Sequence, residues 1–231
     1  MNFKIKKQDI VDTLSKVQGL TGRKSNLAIT ANILISTTDS GITMVVTDLE
    51  TGFKGQYPAE IESHGTIAIN SRKFYEIVKE FPSDDIQIDE IENHWIKIGN
   101  KTVEYNIVGM NPEDFPETPQ IDDIDFFNMD SNVFKNMIEK MIIISGASDE
   151  KRAHITGIYF EIIHKEDKNI IRMVSTDGNR LSKIDQVYEK DVNLPGEQGV
   201  IIPKKGMNEV IKFLDSEGMV QVGIKNNNFI I

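Results

Sequence analysis

The chain has 231 residues, of which 39% are hydrophobic and 27% charged, and it carries a net charge of −10 and no cysteine. This length suits one large domain or two domains of common size, and we predict two. The lack of cysteine excludes disulfides, thiolate metal sites and a cysteine nucleophile. The N-terminus lacks the apolar core of a signal peptide, and no segment is apolar for long enough to span a membrane. We therefore expect a cytoplasmic protein with no membrane partner.

The predicted elements follow one order twice along the chain: a strand, a helix, several strands, a second helix and further strands. Each predicted helix has an apolar face with α-helical spacing. In chain order, these faces are Ile10, Leu14, Val17 and Leu20; Phe74, Ile77, Val78 and Phe81; Phe134, Ile138, Met141 and Ile142; and Met207, Val210, Ile211 and Leu214. Runs such as "NILISTT", "TMVVTD" and "GIYFEII" are rich in β-branched residues or alternate in polarity, which is typical of strands.

The two copies also match residue by residue. Three pairs of matching blocks begin at Phe3 and Phe127, at Ile42 and Ile170, and at Thr66 and Gly199. Matching blocks in one order indicate two copies of one domain. The predicted fold class is α+β, with tandem repeated domains that each pack two helices on antiparallel sheets.

An acidic segment with several prolines, residues 111–125, separates the copies and has the composition of a linker. We predict a first domain over residues 1–120, which includes the start of this linker, and a second domain over residues 126–231. After "HWIKIGN" the first copy continues into a closing strand, "KTVEYNIVGM", whereas the second copy stops at "NNNFII". We therefore expect the second domain to lack its C-terminal strand and the chain to be a truncated form of a longer protein.

The residue types needed for catalysis do not form a recognisable site. The four histidines lack metal-ligand spacing, and no acidic run fits a calcium loop, so we predict no metal, no cofactor and no catalytic residue. Asp48 and Asp177 stand at equivalent places in the two copies. The stretch "TDGNRL" from Thr176 has the composition of a turn, since Asp, Gly and Asn favour chain reversal. A hydrolase that uses either aspartate is an alternative interpretation.

Basic residues recur at equivalent places although the chain is acidic. Lys16 and Lys140 lie on the first predicted helix of each copy. The second helices carry Arg72, Lys73 and Lys79, and then Lys204, Lys205 and Lys212. A surface that carries basic residues at these helix positions suits contact with phosphates without sequence specificity. It lacks the Asn, Gln or aromatic array that reads bases. The alternative is that these lysines only solubilise the helices.

Five short motifs together resemble the bacterial sliding clamp family, the beta subunit of DNA polymerase III. They are "VVTDLE" from Val45, "SRKFYEI" from Ser71, "DFP" from Asp114, "TDGNRL" from Thr176 and "IIPKKG" from Ile201. The resemblance covers the whole chain and implies clamp-type domains, three to a subunit, of which the third is absent here. It also implies a homodimeric ring around double-stranded DNA, a processivity factor without catalytic activity. Its implied partners are DNA polymerase and clamp-loader subunits that dock through short peptides.

The resemblance further implies roles for individual residues. Arg23, Arg72, Lys204 and Lys205 match positions that the family turns toward DNA, and the basic pattern adds Lys24, Lys73 and Lys140. Arg152 ends the loop "SDEKR", which the family places near DNA. The positions of the peptide cleft are Ile155, Thr176, Gly178, Asn179, Arg180 and Leu181. Those of the subunit contact of the first domain are Lys73, Ile77, Phe81 and Ile107. The chain departs from the family at Asn179, where His is common, and at Asp149 and Glu150, in a loop placed near DNA. A peptide-binding scaffold that does not encircle DNA is the second alternative.

Overall fold

The computed structural model describes residues 1–21, 27–118, 123–144, 155–189, 194–196, 198–225 and 227–231. The chain divides into two compact units, Met1–Pro119 and Gln120–Ile231. Within the described residues, each unit contains two α-helices and two antiparallel sheets. The prediction of an α+β fold with one kind of domain in tandem is therefore confirmed. No helix in the described part of the chain is both long and apolar enough to cross a membrane.

The strands of the first unit form two sheets. The strands are β1 (Asn2–Lys6), β2 (Asn32–Thr38), β3 (Gly41–Thr47), β4 (Gly52–Tyr57), β5 (Glu60–Ser63), β6 (Thr66–Asn70), β7 (Asp85–Glu90), β8 (Trp95–Gly99) and β9 (Glu104–Val108). One sheet has the order β5-β1-β7-β8-β9 and the other has the order β4-β3-β2-β6. The edge strands are thus β5 and β9 in the first of these sheets and β4 and β6 in the second. The predicted strand "NILISTT" coincides with β2.

The helices of the first unit are α1 (Lys7–Lys16) and α2 (Ser71–Glu80). Their predicted apolar faces are buried apart from the half-buried Ile77, with Ile10, Leu14 and Phe74 fully out of contact with water. After Lys16, α1 gives way to a 3₁₀ turn, Val17–Gly19, which is tighter than an α-helix and still keeps Val17 in the core.

Two hydrogen bonds fix where α2 begins. The Asn70 side chain caps the helix by accepting from the Lys73 backbone N–H at 3.0 Å. The Gln18 side-chain amide donates to Ser71 Oγ at 3.0 Å, across a separation of 53 positions in the chain. The end of the first helical segment is thereby joined to the start of the second helix.

The second unit repeats this arrangement with fewer described strands. They are β10 (Phe127–Asp130), β11 (Gly157–His164), β12 (Lys168–Thr176), β13 (Leu181–Glu189), β14 (Gln198–Pro203), β15 (Met219–Lys225) and β16 (Asn228–Ile230). The sheet orders are β13-β12-β11-β14 and β10-β15-β16. By position in the repeat, β10, β15 and β16 correspond to β1, β7 and β8. Among the described residues no strand pairs with the outer side of β16.

The helices of the second unit are α3 (Ser131–Ile142) and α4 (Lys204–Val210). Asp130 caps α3 by accepting from the Val133 N–H at 2.8 Å. The core of this unit brings together the apolar residues of both helices and both sheets, among them Phe134, Ile138, Phe160 and Met207. The burial of these faces provides the main driving force for folding the unit.

A smaller apolar cluster in the first unit lies around the segment that follows β9. Its buried members are Ile29, Val45, Ala68 and Phe115, with Leu34 and Met110 packed against them. The backbone N–H of Met110 donates to the carbonyl oxygen of Ala68 at 2.9 Å, so the segment runs along the free edge of β6. Phe115 is only 8% exposed. The segment therefore belongs to the packed structure of the first unit.

We expect Phe115→Ala to destabilise the first unit by about 3 kcal/mol, because the substitution removes a buried aromatic ring and leaves a cavity. The only tryptophan of the chain, Trp95, lies in the first unit and reports on its unfolding. Urea unfolding followed by Trp95 fluorescence measures the change. The matched control is Phe126→Ala in the second unit, where the side chain is 41% exposed. A Trp95 transition that moves no more for Phe115→Ala than for the control contradicts the prediction.

Candidate functional site

The stretch Thr176 to Leu181 is a tight connection between β12 and β13. The Asp177 N–H donates to the Arg180 carbonyl oxygen at 3.4 Å, and Thr176 Oγ1 donates to the same oxygen at 2.7 Å. Asp177 Oδ1 accepts from the backbone N–H groups of Asn179 and Arg180, both at 3.0 Å. The interpretation of "TDGN" as a turn is therefore correct, and its aspartate is the residue that closes the turn.

Position 178 requires a left-handed backbone conformation. Gly178 has φ +89°, which glycine adopts without steric penalty. Its N–H donates to Thr176 Oγ1 at 3.1 Å, so the threonine hydroxyl both donates and accepts within the turn. The glycine lets the chain reverse within four residues while β12 and β13 stay in register, with Thr176 opposite Leu181.

The equivalent turn of the first unit has the same hydrogen bonds without a glycine. Asp48 Oδ1 accepts from the N–H groups of Glu50 and Thr51, at 3.1 and 2.7 Å. Thr47 Oγ1 donates to the Thr51 carbonyl oxygen at 3.1 Å and accepts from the Leu49 N–H at 3.0 Å. Leu49 takes the place of Gly178, has φ +81° and is 57% exposed. A leucine held in this conformation is strained, by about 1 to 2 kcal/mol.

The Asp177 carboxylate is held in its ionised form. The backbone N–H groups of Asn179 and Arg180, followed by the Arg180 guanidinium, lower its pKa to about 2. The guanidinium contributes a bond of 2.9 Å from Nε to Asp177 Oδ2. Each of Asp48 and Asp177 thus bonds to its own turn. In the described residues, no group of three or more histidine, aspartate or glutamate side chains is placed to hold a metal ion.

The residues predicted to bind peptides differ in exposure. Leu181 is 63% exposed, and Gly178, Asn179 and Arg180 are also exposed. Ile155, in contrast, is 4% exposed and belongs to the interior of the unit. Leu181 is therefore an exposed apolar side chain at the end of this turn, whereas Ile155 is buried.

The predicted DNA-binding residues lie at helix surfaces where the structure describes them. Arg72 and Lys73 are exposed in the first turn of α2, Lys140 is exposed in the last turns of α3, and Lys205 is exposed at the start of α4 beside the half-buried Lys204. Arg72 Nε forms an ion pair with Glu76 at 2.9 Å, which offsets part of its charge. Arg23, Lys24 and Arg152 lie outside the described residues.

The predicted subunit contact is only partly at the surface. Lys73 is exposed and Ile77 and Ile107 are half-buried, but Phe81 is 2% exposed, with its ring centroid 6.3 Å from that of Tyr105. Sequence reasoning missed Tyr105 and Val108, which are 37% and 56% exposed on the edge strand β9. Tyr105, Ile107 and Val108 are three of the five residues of β9, and this apolar content was the available signal.

Comparison with known proteins agrees with this architecture. Residues 1–119 match the family model "DNA polymerase III beta subunit, N-terminal domain", and residues 128–231 match the model of the central domain. The beta sliding clamp of Chlamydia pneumoniae is 26% identical over 218 residues, which are 94% of this chain and 58% of that protein. The beta sliding clamp of Bacillus subtilis is 26% identical over 228 residues, which are 93% of this chain and 57% of that protein.

Solved structures have the same fold. The DNA polymerase sliding clamp of Bacillus subtilis superposes with a TM-score of 0.88 at 23% identity, over 98% of this chain and 60% of that one. The sliding clamp of Caulobacter crescentus gives a TM-score of 0.86 at 24% identity, over 97% of this chain and 60% of that one. The chain thus spans about three fifths of the length of the relatives that it matches.

The fold and the repeated turns define a tandem of clamp-type domains. The two family models together cover nearly the whole chain, in the order of the two units. The chain belongs to the DNA polymerase III beta subunit family, whose relatives named here are sliding clamps. The family resemblance stated from the sequence is therefore confirmed.

The low pKa of Asp177 makes the stability of the second unit depend on pH. The carboxyl of the folded unit has a pKa of about 2, below its ordinary value. Ionised Asp177 therefore stabilises the unit at pH values above that ordinary value, and this stabilisation is lost as the pH falls toward 2. The difference in urea midpoint between wild type and Asp177→Asn should therefore shrink between about pH 5 and pH 2. Asp167→Asn, an exposed carboxylate in the β11–β12 turn, controls for the loss of one charge. A carbon-13 NMR titration of Asp177 with a midpoint near 4 contradicts the prediction.

Proposed function

We propose that the chain works as part of a DNA sliding clamp, a ring that encircles duplex DNA and tethers a polymerase to it. The observation that carries this proposal is the ordered match of both units to the N-terminal and central domains of the beta subunit family. Relatives named beta sliding clamp extend beyond the region matched here. The proposed role belongs to DNA replication, which in bacteria takes place in the cytoplasm.

The proposed contact with DNA uses phosphates and not base edges. Its residues are Arg23, Lys24, Arg72, Lys73, Lys140, Arg152, Lys204 and Lys205. The described members are placed on helices and supply positive charge, which is what contact without sequence specificity requires. The net charge of −10 keeps such contact weak, and weak contact lets a ring slide.

The proposed contact with polymerase and clamp-loader subunits uses the turn between β12 and β13. Leu181 supplies an exposed apolar side chain, Thr176, Gly178, Asn179 and Arg180 precede it in the turn, and the buried Ile155 is the sixth residue of the proposed site. A short peptide bound here would be tethered to a ring that cannot leave the DNA. The effective concentration of the polymerase at the primer end would then stay high without tight protein–DNA contacts.

The proposed contact between subunits uses the surface of α2 and β9. Lys73, Ile77 and Ile107 are its accessible members, and Tyr105 and Val108 join them. Phe81 supports this surface from the interior, where its ring lies against Tyr105. The edge strand β9 has backbone groups on its outer side that a strand of another subunit can pair with.

We expect the double substitution Lys204→Glu with Lys205→Glu to weaken binding of the chain to duplex DNA of any sequence. Each lost phosphate contact should flatten the log–log salt dependence of the binding constant by about one unit. Fluorescence anisotropy with two unrelated duplexes, over a series of salt concentrations, measures both effects. The control is Lys165→Glu in the β11–β12 turn with Lys168→Glu at the start of β12, which changes the net charge equally. Equal slopes for wild type and the Lys204/Lys205 variant would remove these residues from the DNA contact. A chain that binds peptide but never duplex would favour the scaffold alternative.

We expect Leu181→Ala to weaken binding of a short peptide from the replicative polymerase of the same bacterium by about 1 to 3 kcal/mol, as for loss of an apolar anchor. Titration calorimetry measures this change. The matched control is Val187→Ala on the same strand and face, where the side chain is 51% exposed. Ile155→Ala is less informative, because the side chain is buried and its removal opens a cavity. Equal affinities for wild type and Leu181→Ala would place the peptide site elsewhere.

A further inference from the structure

The first turn of α2 carries basic side chains where the electrostatics of a helix favour acidic ones. Arg72 is the second residue of α2 and Lys73 is the third, and the first turn of this helix contains no acidic residue. The partial positive charge at the N-terminus of a helix stabilises nearby anions and destabilises nearby cations. Arg72 therefore lowers the stability of its helix, and helix formation does not explain its position.

Glu76 holds the Arg72 guanidinium from the next turn of the same helix. Its Oε1 atom accepts a hydrogen bond from Arg72 Nε at 2.9 Å. The two side chains are 66% and 59% exposed, so a ligand can reach both. Pairs four residues apart stabilise a helix more when the acid precedes the base. Asp12 and Lys16 on α1 have that order, at 2.7 Å, whereas Arg72 and Glu76 have the reverse order.

The second unit has a glutamate at the same place in the repeat, and that glutamate pairs in the other direction along the chain. Glu209 corresponds to Glu76 in the third pair of matching blocks. Its Oε2 atom accepts from Lys212 Nζ at 2.6 Å, and the residue is 8% exposed. Glu209 thus binds a base that follows it, whereas Glu76 binds a base that precedes it and lies at the start of the helix.

The contact with Glu76 uses only one side of the guanidinium. It is made by Nε, which carries one of the five N–H donors of an arginine. The other four donors are on Nη1 and Nη2, which form no hydrogen bond with any residue that the structure describes. A phosphate can therefore bind these nitrogens while Glu76 stays in place. The phosphate then meets an ion pair and not an isolated cation.

We propose that Glu76 is an internal counter-ion that weakens the contact between Arg72 and a DNA phosphate. The proposal rests on the proposed function, in which Arg72 is one of the residues that contact DNA. A basic side chain gains affinity for DNA largely because it releases cations that are condensed around the phosphates. A guanidinium that is already paired with a carboxylate releases fewer of these cations. Its contact is therefore weaker and depends less on the salt concentration.

A counter-ion at this place suits a protein that moves along DNA. Each phosphate contact has to break before the protein advances, so strong contacts slow its movement. The net charge of −10 is spread over the whole chain, whereas the Glu76 carboxylate lies 2.9 Å from the guanidinium that it offsets. Charges separated by more than about 8 Å of physiological salt solution are largely screened from one another. Glu76 therefore affects this one contact more than the distant acidic residues do.

The experiment is a double-mutant cycle on the whole chain, with a fluorescein-labelled duplex and fluorescence anisotropy over a series of salt concentrations. Glu76→Gln should tighten binding by about two- to four-fold and steepen the log–log salt dependence by about half a unit. In the Arg72→Gln background, the same substitution should change the affinity by less than about 1.5-fold, because the guanidinium that it releases is missing.

The matched control is Glu80→Gln, one turn further along α2. Glu80 is an exposed acid whose ion pair with Lys79 is looser, at 4.0 Å, and its substitution removes the same charge. We expect this control to bind DNA within about 1.5-fold of wild type. Thermal unfolding followed by circular dichroism checks that all four variants of the experiment, the double variant included, remain folded.

Three outcomes overturn the proposal and leave the DNA contact in place. The first is equal tightening by Glu76→Gln with and without Arg72, which would mean that Glu76 only repels phosphates. The second is weaker binding by Glu76→Gln, which would mean that Glu76 orients the guanidinium for DNA. The third is equal tightening by Glu80→Gln. A failure of the proposed function looks different, because neither wild type nor any variant would then bind duplex at the lowest salt concentration, and both proposals would fall. Tightening that requires Arg72 supports the proposal.

Discussion

Each unit depends on the register of one central strand with its two neighbours. This strand is β2 in the first unit and β11 in the second. Side chains alternate between the two faces of a sheet, so a slip of one residue would turn every side chain of that strand to the other face. In the first unit this register keeps Ile33 and Ile35 in the core and leaves Leu34 on the other face. In the second unit Ile158 and Phe160 are in the core, and Tyr159 is on the other face. The same register also fixes the positions of the turns of Asp48 and Asp177. These turns follow β3 and β12, which pair with β2 and β11.

The sequence predicted the elements of the fold well, because apolar spacing along a helix or strand is a local property. The helical faces that include Leu14, Phe74 and Ile138 are buried as expected. The last helix shows the limit of this reasoning. Its apolar face runs to Leu214, yet α4 ends at Val210 and the chain continues in tighter turns, with Phe213 N–H bonded to the Val210 oxygen at 2.9 Å. Apolar spacing alone does not distinguish an α-helix from a helix that tightens at its end.

The exposure of site residues could not be predicted in the same way, because it depends on packing partners far away in the chain. Phe81 is buried partly by Tyr105, which comes from an edge strand more than twenty residues later. Ile155, which was expected to line a cleft, is buried as well. The turn of Thr176 to Leu181 was predictable because its Asp, Gly and Asn each favour chain reversal. Its counterpart "TDLE" has no glycine, and its place in the repeat is what indicated the same turn.

The pair of turns shows how one geometry persists with different residues at its strained position. Leu49 carries a strain of about 1 to 2 kcal/mol that Gly178 avoids. Asp48 offsets it with two backbone hydrogen bonds, each worth about 1 kcal/mol or somewhat more to a charged acceptor. The aspartate, and not the glycine, is therefore the residue that maintains the turn, and it does so in both units. In the second unit the Arg180 guanidinium adds a further bond to the carboxylate, which fixes the base of the loop and leaves Leu181 next to it at the surface. An apolar side chain presented on a rigid turn loses little conformational freedom when it binds, and that is the property a peptide-docking loop requires.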